Sequence, residues 1–567
     1  MPERPTVTEA RQWAPESLSE LAQAWDRTAG LVQIHLDEVA RTAVGTGEFW
    51  VGTAAQEARA KAEEITAPAR RAARALIAAA AAARDGAQLI GQARAEVVRV
   101  ADGAAADGYL VGDDGTVTAP GAAPELLVLL GGETGSKVMI TRRATELTAL
   151  LVDALVRLGA VDRDTAARID LAFAGQESAA TVPAGAGALT PREVVGAWTS
   201  MSQDRIAEQV ASMSPEQRRQ LVDAVALEVG NTDGVPWELR MEANRVNIAD
   251  AILAQRRVVD LPEEDKVARM FSAGLGLDTG SAERVWLAAH TDPVVRAAIV
   301  ATHDREANAR LDFYESLLAG DRQIIGFDPQ RSSFIELLGD LDTASSVGVL
   351  IPGLNTTIEG SASDTETARR FVTAGHGDIA MLTYLGGPFP TGQLAAGVVD
   401  AGKPTYALEM APRLAAFSED VARTVGPGVA VTYIGHSYGG SILGTAEQLG
   451  LTADRTMYVA AAGSGVGVDD PSDWHNRNPD IQRFSMTAPG DWIEIVQGLP
   501  LSPHGADPDT MAGVVRLDTG NRLDGSPMAG PTAHSDVINE PSDAWHNILA
   551  VITGDWKELE VAGVNLP

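Results

Sequence analysis

The feature that most constrains the fold is an apolar strand that runs directly into a Gly-x-Ser-x-Gly turn and then into a helix. The strand sequence ends at Ile434, the turn is Gly435-His436-Ser437-Tyr438-Gly439, and a helical stretch follows from Ile442 to Leu449. So tight a turn strains the serine backbone and places its hydroxyl at the carboxyl end of a sheet, above a helix amino terminus. We therefore predict that Ser437 is a nucleophile.

From about residue 322 onward, short β-branched runs alternate with helical stretches. These runs predict strands at Gln323–Phe327, Phe334–Leu338, Val347–Ile351, Ile379–Tyr384, Val429–Ile434, Thr456–Ala461, Ile481–Met486 and Val514–Leu517. The third, fifth and sixth runs are nearly all apolar, as in parallel strands covered on both faces, and the first two can form an antiparallel hairpin. Together with the turn, they predict an α/β-hydrolase fold with a mostly parallel, doubly wound sheet.

The sequence before residue 321 predicts an all-α half. An Ala-rich run from about Thr53 to Val100 favours one long helix, which can kink at Pro68, and a further helix is predicted from about Val138 to Leu158. Thr190 and Ser214 each precede a proline and a capping Glu or Gln, as at helix starts. We predict a helical hairpin over 1–115, a helical connector and linker over 116–189, a helical region over 190–320, and the catalytic domain over 321–567.

Composition excludes several classes of function. The chain carries 77 acidic and 45 basic residues, a formal net charge of −32, which disfavours nucleic acid and anionic membranes as partners. The absence of cysteine excludes thiol nucleophiles and cysteine-ligated metal, and no cluster with metal-site spacing is found, so no cofactor or metal is expected. Neither a signal peptide nor a transmembrane segment is predicted.

A serine nucleophile needs a general base and a carboxylate that orients the base, and in this fold the chain order is serine, acid, histidine. His534, in a loop just before the last helix, is the predicted base, and Asp491, on the turn after the seventh predicted strand, is the predicted acid. The alternatives are His504 and, on a helix surface, His546 for the base, and Asp469 or Asp470 for the acid. As a helix cap, Asp491 would need no catalytic role.

An oxyanion hole requires two backbone N–H groups. Tyr438 follows the nucleophile and is one predicted donor, while the loop after the third predicted strand supplies the other. In that loop Gly353 allows a close approach of the backbone, Leu354 is the preferred donor, and Asn355 is the alternative.

From about Gln323 to Gly554 the chain resembles the actinobacterial α/β hydrolases grouped as a domain of unknown function. The residues that carry the resemblance include Phe327-Asp328-Pro329, Gly339-Asp340-Leu341-Asp342, Val349-Leu350-Ile351-Pro352-Gly353, Gly435-His436-Ser437-Tyr438-Gly439-Gly440, Pro489-Gly490-Asp491 and His534-Ser535. Upstream, the stretch from Gly230 to Pro236 is similar to the helical segment that precedes the hydrolase in that family. The resemblance implies the triad Ser437, Asp491 and His534, and a hydrolase whose substrate is undefined.

The N-terminal region resembles the Trp-x-Gly helical-hairpin proteins exported by type VII secretion systems. Trp50-Val51-Gly52 lies in the predicted turn, and Tyr109-Leu110-Val111-Gly112-Asp113 matches their Tyr-x-x-x-acid export signal. The resemblance implies export, and a small helical partner or a homodimer formed through the hairpin. A helical scaffold that packs on the catalytic domain is the alternative, and the sequence leaves type VII-like secretion and cytoplasmic residence open.

The predicted function is hydrolysis of a small-molecule or lipid carboxylic ester, as in esterases and lipases. The segment from Gly386 to about Phe417 has the length of a lid or of a helix plus lid. It carries four side chains that suit either an acyl pocket or ordinary core packing, namely Phe389, Leu394, Val398 and Tyr406. The same triad serves serine peptidases and thioesterases. An interaction or export protein in which the helical half is the main functional element is the alternative from a different class.

Overall fold

The chain folds into two units, one helical and one built on a sheet, in a computed structural model that describes residues 4–45, 52–120, 125–173, 189–273, 279–392, 402–497 and 502–562. The first unit comprises Met1–Ala184 and Ile252–Asp321, and the second comprises Gly185–Ala251 and Arg322–Pro567. The helical segment Gly185–Ala251 thus belongs to the unit that contains the sheet. The four segments predicted from the sequence divide the chain more finely and stay a prediction.

Helices dominate the described residues before residue 322. They are α1 (Val7–Gln12), α2 (Glu16–Gly45), α3 (Thr53–Ala106), α4 (Glu125–Phe173), α5 (Pro191–Trp198), α6 (Gln203–Ser212), α7 (Pro215–Asn231), α8 (Trp237–Val259), α9 (Glu263–Ala273), α10 (Thr279–Thr291) and α11 (Pro293–Leu317). The predicted long helix is confirmed as α3, which continues through Pro68. The predicted helix Val138–Leu158 was too short, because α4 extends beyond it in both directions.

Small side chains allow α2 and α3 to pack closely in the first unit. Ala22 of α2 and Ala80 and Ala83 of α3 are fully buried in one cluster, and Arg84 forms an ion pair with Asp26 beside it. Residues 46–51 of the predicted turn, which runs from Gly45 to Gly52 and includes Trp50 and Val51, lie outside the described residues, so the secretion-type hairpin stays a prediction.

The predicted export signal runs from Tyr109 to Asp113, through the short strand β1 (Leu110–Val111), which pairs with β2 (Val117–Thr118). The Asp113 carboxylate accepts a hydrogen bond from the Thr8 N–H at 2.7 Å, at the start of α1. Hydrogen bonds from Thr8 lower the pKa of Asp113. Asp113 therefore has a structural role in this unit, as the partner of a helix amino terminus.

The second unit is built on an eight-stranded sheet. Its strands are β3 (Gln323–Asp328), β4 (Ser333–Leu338), β5 (Ser346–Ile351), β6 (Ile379–Leu385), β7 (Ala430–His436), β8 (Arg455–Val459), β9 (Gln482–Met486) and β10 (Val514–Arg516), in the spatial order β10-β9-β8-β7-β5-β6-β4-β3. β3 and β4 form an antiparallel hairpin, β4 is antiparallel to β6, and all other neighbours are parallel. The predicted strands, hairpin and mostly parallel sheet are confirmed.

Helices flank this sheet in the described residues. They are α12 (Ala362–Ala374), α13 (Thr405–Thr424), α14 (Tyr438–Gln448), α15 (Ile493–Gln497), α16 (Ala533–Asn539) and α17 (Asp543–Thr553). The central strands β5 and β7 are parallel, and Ile351 at the end of β5 pairs with Gly435 near the end of β7. The loop after β5 and the turn after β7 therefore emerge side by side at one edge of the sheet.

The helices α5 to α8 are tied to the sheet domain by one buried carboxylate. Both predicted capping boxes, at Thr190 and Ser214, are confirmed. Asp420 of α13 accepts hydrogen bonds from the Gly234 N–H and the Trp237 indole N–H, both at 2.9 Å, and from Arg240 at 2.8 Å. A carboxylate buried without such donors would be costly, so these contacts fix the helical segment in place.

Candidate active site

The turn between β7 and α14 holds Ser437 in a strained conformation. Its φ of 56° and ψ of −121° lie where residues other than glycine are rare. The Ser437 N–H donates to the Val459 carbonyl at 3.0 Å, and the residue is only 4% exposed. The predicted sequence of strand, turn and helix around this serine is confirmed.

Close backbone contacts explain the glycines around Ser437. A Cβ atom at Gly439 would lie 2.1 Å from the carbonyl oxygen of Ile351, and a Cβ atom at Gly435 would lie 2.7 Å from that of Gly439. In the loop after β5, a Cβ atom at Gly353 would lie 2.7 Å from the Ser437 Cβ. The loop after β5 thus touches the serine directly, and a side chain at these positions would separate them.

Three residues from separate parts of the chain meet at this edge of the sheet. Ser437 Oγ lies 2.9 Å from His534 Nε2, and His534 Nδ1 lies 3.0 Å from Asp491 Oδ2 and 3.1 Å from Asp491 Oδ1. When Nδ1–H donates to the carboxylate, Nε2 can accept a hydrogen bond from the Ser437 hydroxyl. This is the geometry of a nucleophile, a base and an orienting acid.

His534 lies in the first turn of the short helix α16, not in the loop that the sequence predicted. Its ring is flanked by Trp492 and His436, with ring centroids 4.7 Å and 5.2 Å away. Asp491 also accepts a hydrogen bond from the Ile493 N–H at 3.0 Å. Asp491 therefore caps the start of α15 and contacts the imidazole at the same time, so the capping contact is compatible with the predicted role as acid.

The alternative residues lie elsewhere. His504 Nδ1 is 2.9 Å from the Ser441 hydroxyl, and both residues are buried. His546 donates to a carbonyl at the start of its own helix, α17. Asp469 and Asp470 are exposed on a turn after β8. Among the predicted candidates for base and acid, only His534 and Asp491 belong to the series of hydrogen bonds that begins at the Ser437 hydroxyl.

His436, the residue between the first glycine and the serine, supports His534. Its Nε2–H donates to the His534 carbonyl at 2.8 Å. Burial, with a contribution from nearby His534, lowers the pKa of His436 to about 4, so its ring is neutral near pH 7. Sequence reasoning missed this role because the motif permits any residue at that position.

Comparison with known families agrees with this geometry. Residues 328–501 match a family model described as Alpha/beta hydrolase. The chain contains an α/β-hydrolase domain. The match includes Ser437 and Asp491 and ends before His534, which the fold brings to them. Searches of curated proteins and of solved structures found no match.

The two preferred oxyanion donors of the prediction, Tyr438 and Leu354, lie at the start of α14 and in the loop after β5. Tyr438 is the first residue of α14, where backbone N–H groups have no partner within the helix, and Leu354 lies in the loop that touches the serine. Asn355 differs, because its N–H already donates to the Pro390 carbonyl at 2.9 Å and its side-chain oxygen accepts from the Gly392 N–H at 2.8 Å. Asn355 thus anchors the segment after β6 to the loop after β5.

A cavity of about 280 Å³ opens beside Ser437. Its lining residues, most of them polar, are Leu350, Pro352, Gly353, Leu354, Asn355, Thr356, Gly360, Ser363, Asp364, Thr367, His436, Ser437, Trp492, His534, Ser535, Ile538 and Asn539. Of the residues predicted to line an acyl pocket, Phe389 is buried elsewhere and Tyr406 packs edge-on against Tyr438. The other two, Leu394 and Val398, lie outside the described residues.

Within the described ranges, no three His, Asp or Glu side chains are arranged to hold a metal ion. Of the helices in the described part of the chain, none combines the length and hydrophobicity of a bilayer-spanning segment.

Proposed function

We propose that this protein is a serine hydrolase that acts on carboxylic esters, with Ser437 as nucleophile, His534 as base and Asp491 as orienting acid. The observation that carries the proposal is the continuous hydrogen-bonded chain from the Ser437 hydroxyl to the Asp491 carboxylate, at 2.9 Å and 3.0 Å. The strained backbone of Ser437 supports it, because strain of this kind is retained at functional sites.

The proposed mechanism follows from the donors and acceptors. His534 Nε2 takes the proton as Ser437 Oγ attacks the ester carbonyl, and the backbone N–H groups of Leu354 and Tyr438 bind the oxyanion. Asp491 stabilises the imidazolium that forms. His534 then gives the proton to the leaving alkoxide, and the same base activates water to release the acid from the acyl-enzyme.

The cavity favours a compact, polar ester over a long-chain lipid. Its lining is mostly polar, and Phe389, which was expected to contact an acyl chain, packs in the core instead. A long alkyl chain gains affinity only by leaving water for an apolar surface. Among the described residues this cavity of about 280 Å³ offers such a surface only at Leu350, Pro352, Leu354, Trp492 and Ile538. The lipase form of the prediction therefore has less support than the esterase form.

Intact mass after incubation with a fluorophosphonate tests the proposal. We expect one adduct on the wild type and none on Ser437→Ala. Ser441→Ala is the matched control, because Ser441 also has a histidine within 2.9 Å but is fully buried, and it should leave the adduct unchanged. No adduct on folded wild type, or an adduct lost in Ser441→Ala but kept in Ser437→Ala, would rule the proposal out.

The resemblances to the actinobacterial hydrolase group and to type VII substrates stay predictions, as do export and a helical partner or homodimer. Amide and thioester hydrolysis would use the same three side chains. Rates on matched ester, thioester and amide substrates distinguish these reactions.

A further inference from the structure

The cavity beside Ser437 contains a carboxylate that the proposed mechanism does not use. Asp364 lies in the first turn of α12 and lines the same cavity as Ser437 and His534. Burial raises the pKa of Asp364 to about 6, and its own backbone N–H offsets only part of this effect. No cationic side chain of the described residues contributes to holding this carboxylate ionised.

Two carboxylates near Asp364 are paired with arginine side chains, which distinguishes them from Asp364. Glu366, two residues along α12, forms an ion pair with Arg369 at 2.8 Å. Glu336 of β4, which is buried, accepts from Arg322 at 2.7 Å and from the Thr365 hydroxyl at 3.0 Å. A half-buried carboxylate without such partners costs free energy unless a ligand supplies the missing charge.

The wall that carries Asp364 is fixed to the helix that carries His534. The Thr367 hydroxyl of α12 donates to the side-chain oxygen of Asn539, the last residue of α16. Both Thr367 and Asn539 line the cavity, together with Ser363 and Ser535. Asp364 and the base thus belong to one supported surface, and a ligand that contacts one is positioned relative to the other.

We infer that the ester substrate carries a cationic ammonium group, which Asp364 binds in this cavity. The inference rests on the proposed function and names its substrate class. A carboxylate that faces an ammonium group stabilises it and repels an anionic ester in the same position. A carboxylate that is closely paired with an ammonium charge in a partly buried cavity changes relative rates by about tenfold.

One isosteric pair of thioesters and one of esters test the inference, because the cation can lie on either side of the bond that is cleaved. Acetylthiocholine and 3,3-dimethylbutyl thioacetate carry the difference on the leaving group. Aryl esters of 4-(trimethylammonio)butyrate and of 5,5-dimethylhexanoate carry it on the acyl group. Released thiol can be measured with a disulfide reagent without background, because the chain has no cysteine. We expect kcat/KM for the cationic member to exceed that of its neutral isostere about tenfold in one pair.

Asp364→Asn should bring the ratio of kcat/KM for the cationic ester to that of its neutral isostere close to one, since the amide keeps the shape and loses the charge. Glu366→Gln is the matched control, because it removes an exposed charge from the same helix outside the cavity and should keep the preference. Esters that turn over slowly are replaced by a protection assay. In that assay, choline should slow fluorophosphonate labelling of Ser437 more than 3,3-dimethylbutan-1-ol does, and Asp364→Asn should abolish the difference.

Equal rates and equal protection for the cationic and neutral members would overturn the inference while an adduct at Ser437 keeps the proposed function. An Asp364→Asn variant that slows both members alike would also overturn it, because the residue would then be structural. Absence of any adduct on Ser437 would overturn the proposed function and the inference together.

Discussion

Two glycines, one in each unit of this molecule, have different roles. Gly91 lies within the long helix α3, and a Cβ atom there would meet nothing within 4 Å. Gly439 lies in the first turn of α14, and a Cβ atom there would lie 2.1 Å from the carbonyl of Ile351. At Gly91 the missing side chain costs helix stability, whereas at Gly439 it permits a backbone contact beside Ser437. The comparison teaches that sequence tolerance is low where elements must approach a strained residue.

The largest expected effect separates the units by activity. Ser437→Ala should lower kcat on an ester by at least about 10⁴-fold, because the nucleophile and its proton transfer are lost together. Ser19→Ala, in α2 of the helical unit, should leave kcat unchanged. Steady-state rates for both variants, with circular dichroism to verify folding, check this. Comparable kcat values for Ser437→Ala and wild type would remove the distinction between the two units.

The two glycines offer a paired test by stability. Gly439→Ala should lower the free energy of unfolding by about 1–3 kcal/mol and abolish ester hydrolysis. The new Cβ would push the loop after β5 away from the turn that carries Ser437. Gly91→Ala should raise stability by up to about 1 kcal/mol through helix propensity, without a change in rate. Urea midpoints and ester rates measure both. A Gly439→Ala variant as stable and active as wild type would contradict the role given to that close contact.

A smaller loss is expected where a contact acts through the base. His436→Phe keeps a ring of similar size but loses the hydrogen bond to the His534 carbonyl, so kcat should fall about tenfold. Because His436 is neutral near pH 7, the acidic limb of the pH profile between pH 6 and 8 should keep its shape. A pH profile of kcat in both proteins shows whether that shape is kept. If His436→Phe moves this limb, His436 is acting as a titrating group, which contradicts its positioning role.

The smallest effect concerns pH and sharpens the contrast inside the cavity. The carboxylate of Asp364 loses its charge as the pH falls through about 6. The ratio of kcat/KM for a cationic ester to that of its neutral isostere should therefore fall about threefold between pH 7 and pH 5.5, because a tenfold preference is lost with the charge. Any effect of pH that is common to both esters cancels in the ratio. A ratio independent of pH would show that Asp364 does not carry the preference.

The strands and the Gly-x-Ser-x-Gly turn could be predicted because the sequence patterns that specify them are local. Apolar runs such as Ser346–Ile351 have no other stable location than a sheet covered on both faces, and Gly435 to Gly439 is defined by one turn. The length of α4 and the helical position of His534 could not be predicted in this way, because the packing of neighbouring elements decides where a helix begins and ends. The contacts of Asn355 with Pro390 and of His436 with His534 join segments that are distant in sequence, and no local pattern encodes them.

The separation of the three hydrogen-bonded side chains along the chain has a consequence for how the protein acquires its site. His534 lies 97 positions from Ser437 and 43 from Asp491. Contacts of such long range form late, after the entropy of closing the intervening loops has been lost. Recovery of fluorophosphonate labelling during refolding should therefore lag behind recovery of helix content, and an unlabelled population would report chains whose last strands and helices have not yet docked.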